Sequence, residues 1–217
     1  RVLFRSFSDH MVLQANASLP VWGTAKPQSP VLVRLGREQI ETTADEAGRW
    51  RVQFPPRESS SDPVSLVAVA AEKQLVVHDV LVGQVWLCGG QSNMEWPLHQ
   101  SAEGQATLKD LDEPLIRLLR VRGAVRGSSG QYTQAQLDRL SPKRFAEGKW
   151  EVANSENAAD FSAVAWYFGH AIQNRTREPV GLICPAVGGT PTEAWISREA
   201  LASDPQLKGL EIGRAHV

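Results

Sequence analysis

Ser92 stands between two amide side chains, Gln91 and Asn93, directly after the glycine pair Gly89-Gly90, and an apolar run Val85-Trp86-Leu87-Cys88 leads into it. A serine on a tight turn at the end of a strand suits attack on an acyl carbon. Its hydroxyl projects clear of the chain, and nearby backbone N–H groups can face the charge that develops on the carbonyl oxygen. The run at 85–88 has no polar face, which reads as a strand buried on both sides of a parallel sheet. Two glycines permit the turn. Open α/β sheets hold their ligands at the carboxyl ends of such strands. Acyl transfer through Ser92 is therefore the first chemistry to consider.

A glycine at the position of Met94 would complete Gly-x-Ser-x-Gly, and a lysine at the position of Glu95 would complete Ser-x-x-Lys, so neither of those serine signatures is present. A bland alternative exists locally: Ser92 as a helix N-cap, with Glu95 three residues on completing a capping box. A second glycine pair, Gly188-Gly189, ends the apolar run Val180-Gly181-Leu182-Ile183-Cys184 much as the first pair ends its own. Gly188 or Gly189 could offer a backbone N–H to an oxyanion, or the pair could form an ordinary strand-to-helix turn. Gln91 and Asn93 could orient the loop or touch substrate, or be unremarkable turn amides.

Gly90-Gln91-Ser92-Asn93 resembles the first motif block of the SGNH hydrolases, in the carbohydrate esterase branch that includes the sialate O-acetylesterases. Phe7-Ser8-Asp9-His10-Met11-Val12-Leu13-Gln14, Asp79-Val80-Leu81-Val82-Gly83 and Gly188-Gly189-Thr190 with Glu193-Ala194-Trp195 resemble that family too, in its order. Such a set is more specific than one serine motif. The resemblance implies an α/β fold, a flavodoxin-like parallel sheet with helices, preceded by a small β-sandwich-like domain. It implies Ser92 as nucleophile, with an oxyanion hole from the Ser92 N–H and a second-block glycine carried to Gly189, Gly188 being equally placed. The implied substrate is an acetylated sugar or glycan, with neither cofactor nor metal, and the implied location is secreted or periplasmic. Trp96 and Trp195, which follow the two loops, could then stack on a sugar ring, although core packing is the commoner fate of tryptophan. An esterase for other acetylated glycans of xylan type, or a carbohydrate-binding protein without catalysis, are the rival readings.

The family's Asp-x-x-His has no match. His10 and His78 fall in or beside the β-rich part, His99 is seven residues past Ser92, His170 sits within a helical pattern, and His216 lies in the terminal segment. The family's Gln-Gly-Glu block is absent as well. Residues 1–6 and 212–217 can be back-translated into near reverse complements that resemble a sequencing adapter, which makes 1–6 and 211–217 non-native in expectation. The expectation is thus a truncated esterase, inactive for want of its base.

A length of 217 residues allows one large domain or two small ones. The expected division is a β-rich domain at 7–78 and an incomplete esterase domain at 79–210. A formal net charge of −1 gives no basic face for nucleic acid or acidic membranes. His78, Asp79 and Gln84 interrupt the longest apolar stretch, so no transmembrane helix is expected. Cys88 and Cys184, the only cysteines, read as packed free thiols. Leu19-Pro20-Val21-Trp22-Gly23, Val31-Leu32-Val33-Arg34-Leu35, Trp50-Arg51-Val52-Gln53-Phe54 and Val64-Ser65-Leu66-Val67-Ala68-Val69 read as short strands between turns. Phe161, Val164, Ala165, Phe168, Ala171 and Ile172 fall at helical spacing behind Asp160 as N-cap. Residues 123–149 read as a long loop able to wall a cleft.

Overall fold

The computed structural model describes residues 7–71, 73–123, 133–138 and 146–207. The adapter-like ends and most of the loop expected at 123–149 lie outside the described residues. The first half is β: β1 (Val12–Gln14), β2 (Leu19–Thr24), β3 (Pro30–Leu35), β4 (Glu38–Thr43), β5 (Arg49–Phe54), β6 (Ser60–Ala70) and the long β7 (Lys73–Leu87). Helices and strands then alternate as α1 (Ser92–Glu95), α2 (Gly104–Leu108), β8 (Asp112–Arg120), β9 (Arg122–Gly123), α3 (Gln134–Leu137), β10 (Ala146–Glu147) and β11 (Trp150–Asn154). The remainder is α4 (Ser155–Ala159), α5 (Ala163–Thr176), β12 (Val180–Cys184) and α6 (Arg198–Ser203). The mixed α/β architecture is the one the sequence implied.

One mixed sheet runs in the order β11-β8-β12-β7-β6-β3-β4, with β1 also paired to β7. Its organising element is β7. The first part of β7 pairs antiparallel with β6, while Gln84 to Leu87 pair parallel with β12. β12 in turn lies parallel to β8. β7 therefore crosses the position where two domains were expected to divide, and the chain changes character inside a strand. The crossing is marked by a bulge: Val64 faces Val80 while Leu66 faces Val77, one residue more on β7 than on β6. Asp79 takes up that extra residue at φ 52°.

Alternation decides which side chains are buried. In β5, Trp50, Val52 and Phe54 point inward and Arg49, Arg51 and Gln53 outward. They join Val21, Val33, Leu35 and Leu66 in a first core, which also takes Leu119 and Trp150 from the second half. The opposite face of β8 and β12 supplies Ile116, Leu118, Val180 and Leu182 to a second core, closed by Phe161 and Trp166. β4 escaped the strand reading because Ile40 is its one large apolar residue and the strand sits at the edge of the sheet. No helix among the described residues is long and apolar enough to cross a membrane.

The N-cap expected for α5 needs correction, and the face it buries is now defined. Its N-cap is Ser162, whose Oγ accepts the Ala165 N–H at 3.1 Å, and Asp160 instead ends α4. Its buried face is Ala163, Ala165, Trp166, Gly169 and Gln173, while Val164 and Phe168 are 50% and 41% exposed. Small residues face the sheet so that the helix axis can approach it, which turns the larger apolar residues outward. The run at 85–88 is corrected likewise. Trp86 and Leu87 are 40% and 72% exposed, because past Val82 no described strand pairs with β7 on the β6 side. Trp86 packs edge-on against Phe168 at 5.0 Å, outside both cores.

Candidate active site

The parallel strands β7, β12 and β8 end side by side, and the first two run on into the glycine loops. After Leu87 and Cys88, Gly90 adopts φ 147°. A Cβ built there would lie 3.1 Å from the Cβ of Met94, so the turn requires a residue without one. Ser92 is the first residue of α1, a single turn, and Gln91 is its N-cap with no side-chain capping bond. The capping-box alternative is therefore not formed. Ser92 Oγ instead donates to Gln91 Oε1 at 3.3 Å, and the Glu95 carboxylate reaches to the other glycine loop.

That second loop is a tight turn from Val187 to Thr190, closed by Thr190 N–H to Val187 O at 3.4 Å. Gly189 holds φ 79° at its third position, as a type II turn demands. Two hydrogen bonds tie the loops together: Val187 N–H to Gly90 O at 3.1 Å and Gly188 N–H to Glu95 Oε2 at 2.6 Å. A Cβ on Gly188 would fall 2.8 Å from Glu95 Oε2 and 3.8 Å from Ser92 Cβ, so this glycine lies directly against the serine.

Gln91, Ser92 and Asn93 are all exposed and line one shallow cavity of about 310 Å³ with Gly90, Met94 and Val164. Trp195 stacks its ring about 3.8 Å from the position a Gly89 Cβ would take and donates Nε1–H to Thr190 Oγ1 at 3.0 Å. It is 42% exposed and Trp96 is 52% exposed, so neither is buried in a core. Trp96 does not line the serine cavity. Along the same edge of the sheet, past Cys184, a cavity of about 520 Å³ is lined by Arg120, Arg122, Asn157, Asp160 and Phe161.

Among the described residues no histidine hydrogen-bonds to Ser92. The ring of His10 meets Asp79 Oδ2 at 2.7 Å. His99 turns Nδ1 to Ala159 O at 2.9 Å. His170 stacks on Trp166 and faces Glu113 at 3.4 Å.

Cys88 and Cys184 are buried and unlinked at the ends of β7 and β12. Burial, and then the neighbouring Cys184, push the Cys88 thiol up to about 11, and burial raises Cys184 as well. The thiolate is the reactive form, so both cysteines beside the serine loop are inert near neutrality. Iodoacetamide at pH 7.5 should leave them unmodified in the folded chain and alkylate both in urea, as read by intact mass.

No family model matches the sequence. The sialate O-acetylesterase of Pongo abelii is 32% identical over 89% of this chain, and that of Mus musculus 31% identical over 99%. The chain spans 38% and 41% of the length of those two proteins. Among solved structures, a carbohydrate acetylesterase from Xanthomonas citri superposes with a TM-score of 0.76 at 31% identity, over 91% of this chain and 42% of its own. Over the stretch it spans, the chain is a homologue of the sialate O-acetylesterases and has the fold of a carbohydrate acetylesterase.

Proposed function

We propose that the protein to which this chain belongs is a serine esterase that removes O-acetyl groups from a carbohydrate, with Ser92 as nucleophile. The observation that carries the reading is the meeting of Ser92 and Gly188-Gly189 at adjoining strand ends. Ser92 Oγ attacks the acetyl carbonyl, the sugar leaves as its alcohol, and water releases acetate from the acetyl-enzyme. The Ser92 N–H, in the first turn of α1 where backbone donors have no intrahelical partner, and a glycine N–H of the second loop would hold the oxyanion. The proton acceptor is assigned to a histidine outside the described residues: His10, His99 and His170 are engaged with Asp79, Ala159 and Glu113, and no described histidine hydrogen-bonds to Ser92. Exposed Trp195 over the serine loop, and the polar cavity bounded by Arg120, Asn157 and Asp160, suit a sugar ring and its hydroxyls. A secreted or periplasmic location is part of the same reading.

Without a paired base, the chain alone should be slower than a complete enzyme by about six powers of ten. Acetate release from O-acetylated sialic acid, acetylated xylo-oligosaccharide and 4-nitrophenyl acetate tests this. Complete enzyme that cleaves a sugar ester, and loses the activity in Ser92→Ala, supports the reading. Retention of sugar without any acetate release would favour a binding protein, and full turnover by this chain alone would contradict the missing base. The substrate cleaved fastest distinguishes the sialic and xylan classes.

A further inference from the structure

We propose that Glu95 is a positioning residue: its carboxylate clamps the second glycine loop against Ser92 and thereby assigns the oxyanion contact of that loop to Gly189. The inference rests on the reading of Ser92 as nucleophile and goes further into the same site.

α1 is one turn long, and its N-cap side chain makes no capping bond. Glu95 is joined to the loop before it by its own N–H, which donates to Gln91 O at 2.9 Å. Its side chain leaves α1 and accepts the Gly188 N–H at 2.6 Å, a short bond of the charge-assisted kind. The two residues lie 93 apart in sequence, and a second hydrogen bond between the loops among the described residues, Val187 to Gly90, is entirely backbone. Glu95 is thus the side chain that sets the distance between the two loops.

The contact also separates the roles of the two glycines. The Gly188 amide is already engaged, and a carboxylate bound to it excludes a second anion from the same donor. Gly189 follows at φ 79°, is exposed, and its N–H has no hydrogen-bond partner among the described residues. A free backbone donor held in a turn next to the nucleophile is what oxyanion stabilisation requires. A shift of the loop by an ångström would misplace that donor, and misplacement on this scale costs about a hundredfold in rate.

The test measures phosphonylation of Ser92 by a fluorophosphonate probe in this chain, since the adduct's oxygen occupies the same hole. Loss of one such donor typically costs about 10²–10³ in rate. Glu95→Ala should therefore label at least about tenfold slower, while Glu95→Gln, which keeps an acceptor oxygen, should stay within about threefold of the parent. In ¹H–¹⁵N spectra the Gly188 amide proton should lie at low field in the parent and move upfield in both variants, further in Glu95→Ala. Equal labelling of Glu95→Ala and parent overturns the proposal, as does a Glu95→Gln variant as slow as Glu95→Ala. Should Glu95→Ala fail to fold, an unmoved Gly188 resonance in Glu95→Gln overturns it independently. Should this chain label too slowly to compare, the same variants are compared in the complete enzyme, and a complete enzyme unlabelled at Ser92 would instead overturn the nucleophile assignment.

Discussion

Asp79→Asn is expected to lower the stability of the fold by about 3 kcal/mol, the lower end of what breaking a buried ion pair costs. Arg117 keeps its side chain only 5% exposed, with Nη1 2.5 Å and Nη2 3.3 Å from the two Asp79 oxygens. Its Nε donates to Pro114 O at 2.9 Å, so the guanidinium is fixed in place and cannot follow a lost partner into water. His10 adds a second contact to Asp79 Oδ2 at 2.7 Å. Asparagine suits the test because it tolerates the left-handed backbone of residue 79 while removing the charge. Asp79 itself is 31% exposed, which argues for the lower rather than the upper value. For a chain of this size 3 kcal/mol corresponds to a fall of roughly 6–12 °C in Tm. Arg117→Met added to Asp79→Asn should cost less than the sum of the two changes, because the second removes the charge that the first strands.

The same cluster predicts a pH dependence of definite sign. Burial by itself would raise the Asp79 carboxyl, but hydrogen bonds and charge from Arg117 and His10 outweigh it and hold the pKa below its ordinary value. A carboxyl whose folded pKa is depressed contributes stability that is fully present above the unfolded value of about 3.9 and is lost as pH falls through the folded one. The stability difference between parent and Asp79→Asn should therefore shrink as pH falls below about 4. A difference that instead grows on acidification would exclude this origin.

The sequence showed the parts of this molecule that are local. Ser92 after its glycine pair, the second pair at 188–189, and the alternation of Trp50, Val52 and Phe54 were all readable from neighbours in the chain. Contacts between distant residues were not. Asp9, His10 and Asp79 were noticed as motif blocks, yet nothing in either block says that the His78 N–H binds the Asp9 carboxylate at 2.7 Å, or that Arg117 binds Asp79. Glu95 entered the sequence reading only as a local capping partner of Ser92, in one of two alternatives, since its partner in the fold, Gly188, is 93 residues away in the chain. Val164 and Phe168 fell at helical spacing with buried neighbours, but spacing alone does not say which face meets the sheet, and the small residues on α5 decided it. The polarity of β4 hid a strand because an edge strand needs little apolar surface.

Ser92 should be the residue that takes up the label when this chain is treated with a fluorophosphonate probe, and Ser92→Ala should show none. Ser92→Ala lacks the oxygen to which the probe's phosphorus must bond, so even slow labelling of the parent is read against a blank at position 92. Intact mass gives the stoichiometry and peptide mapping gives the site. One adduct per chain on Ser92, absent from Ser92→Ala and unchanged when His99 or His170 is replaced, is the result expected. An adduct on another residue, or labelling of Ser92→Ala at the parent's rate, would contradict the assignment of the nucleophile.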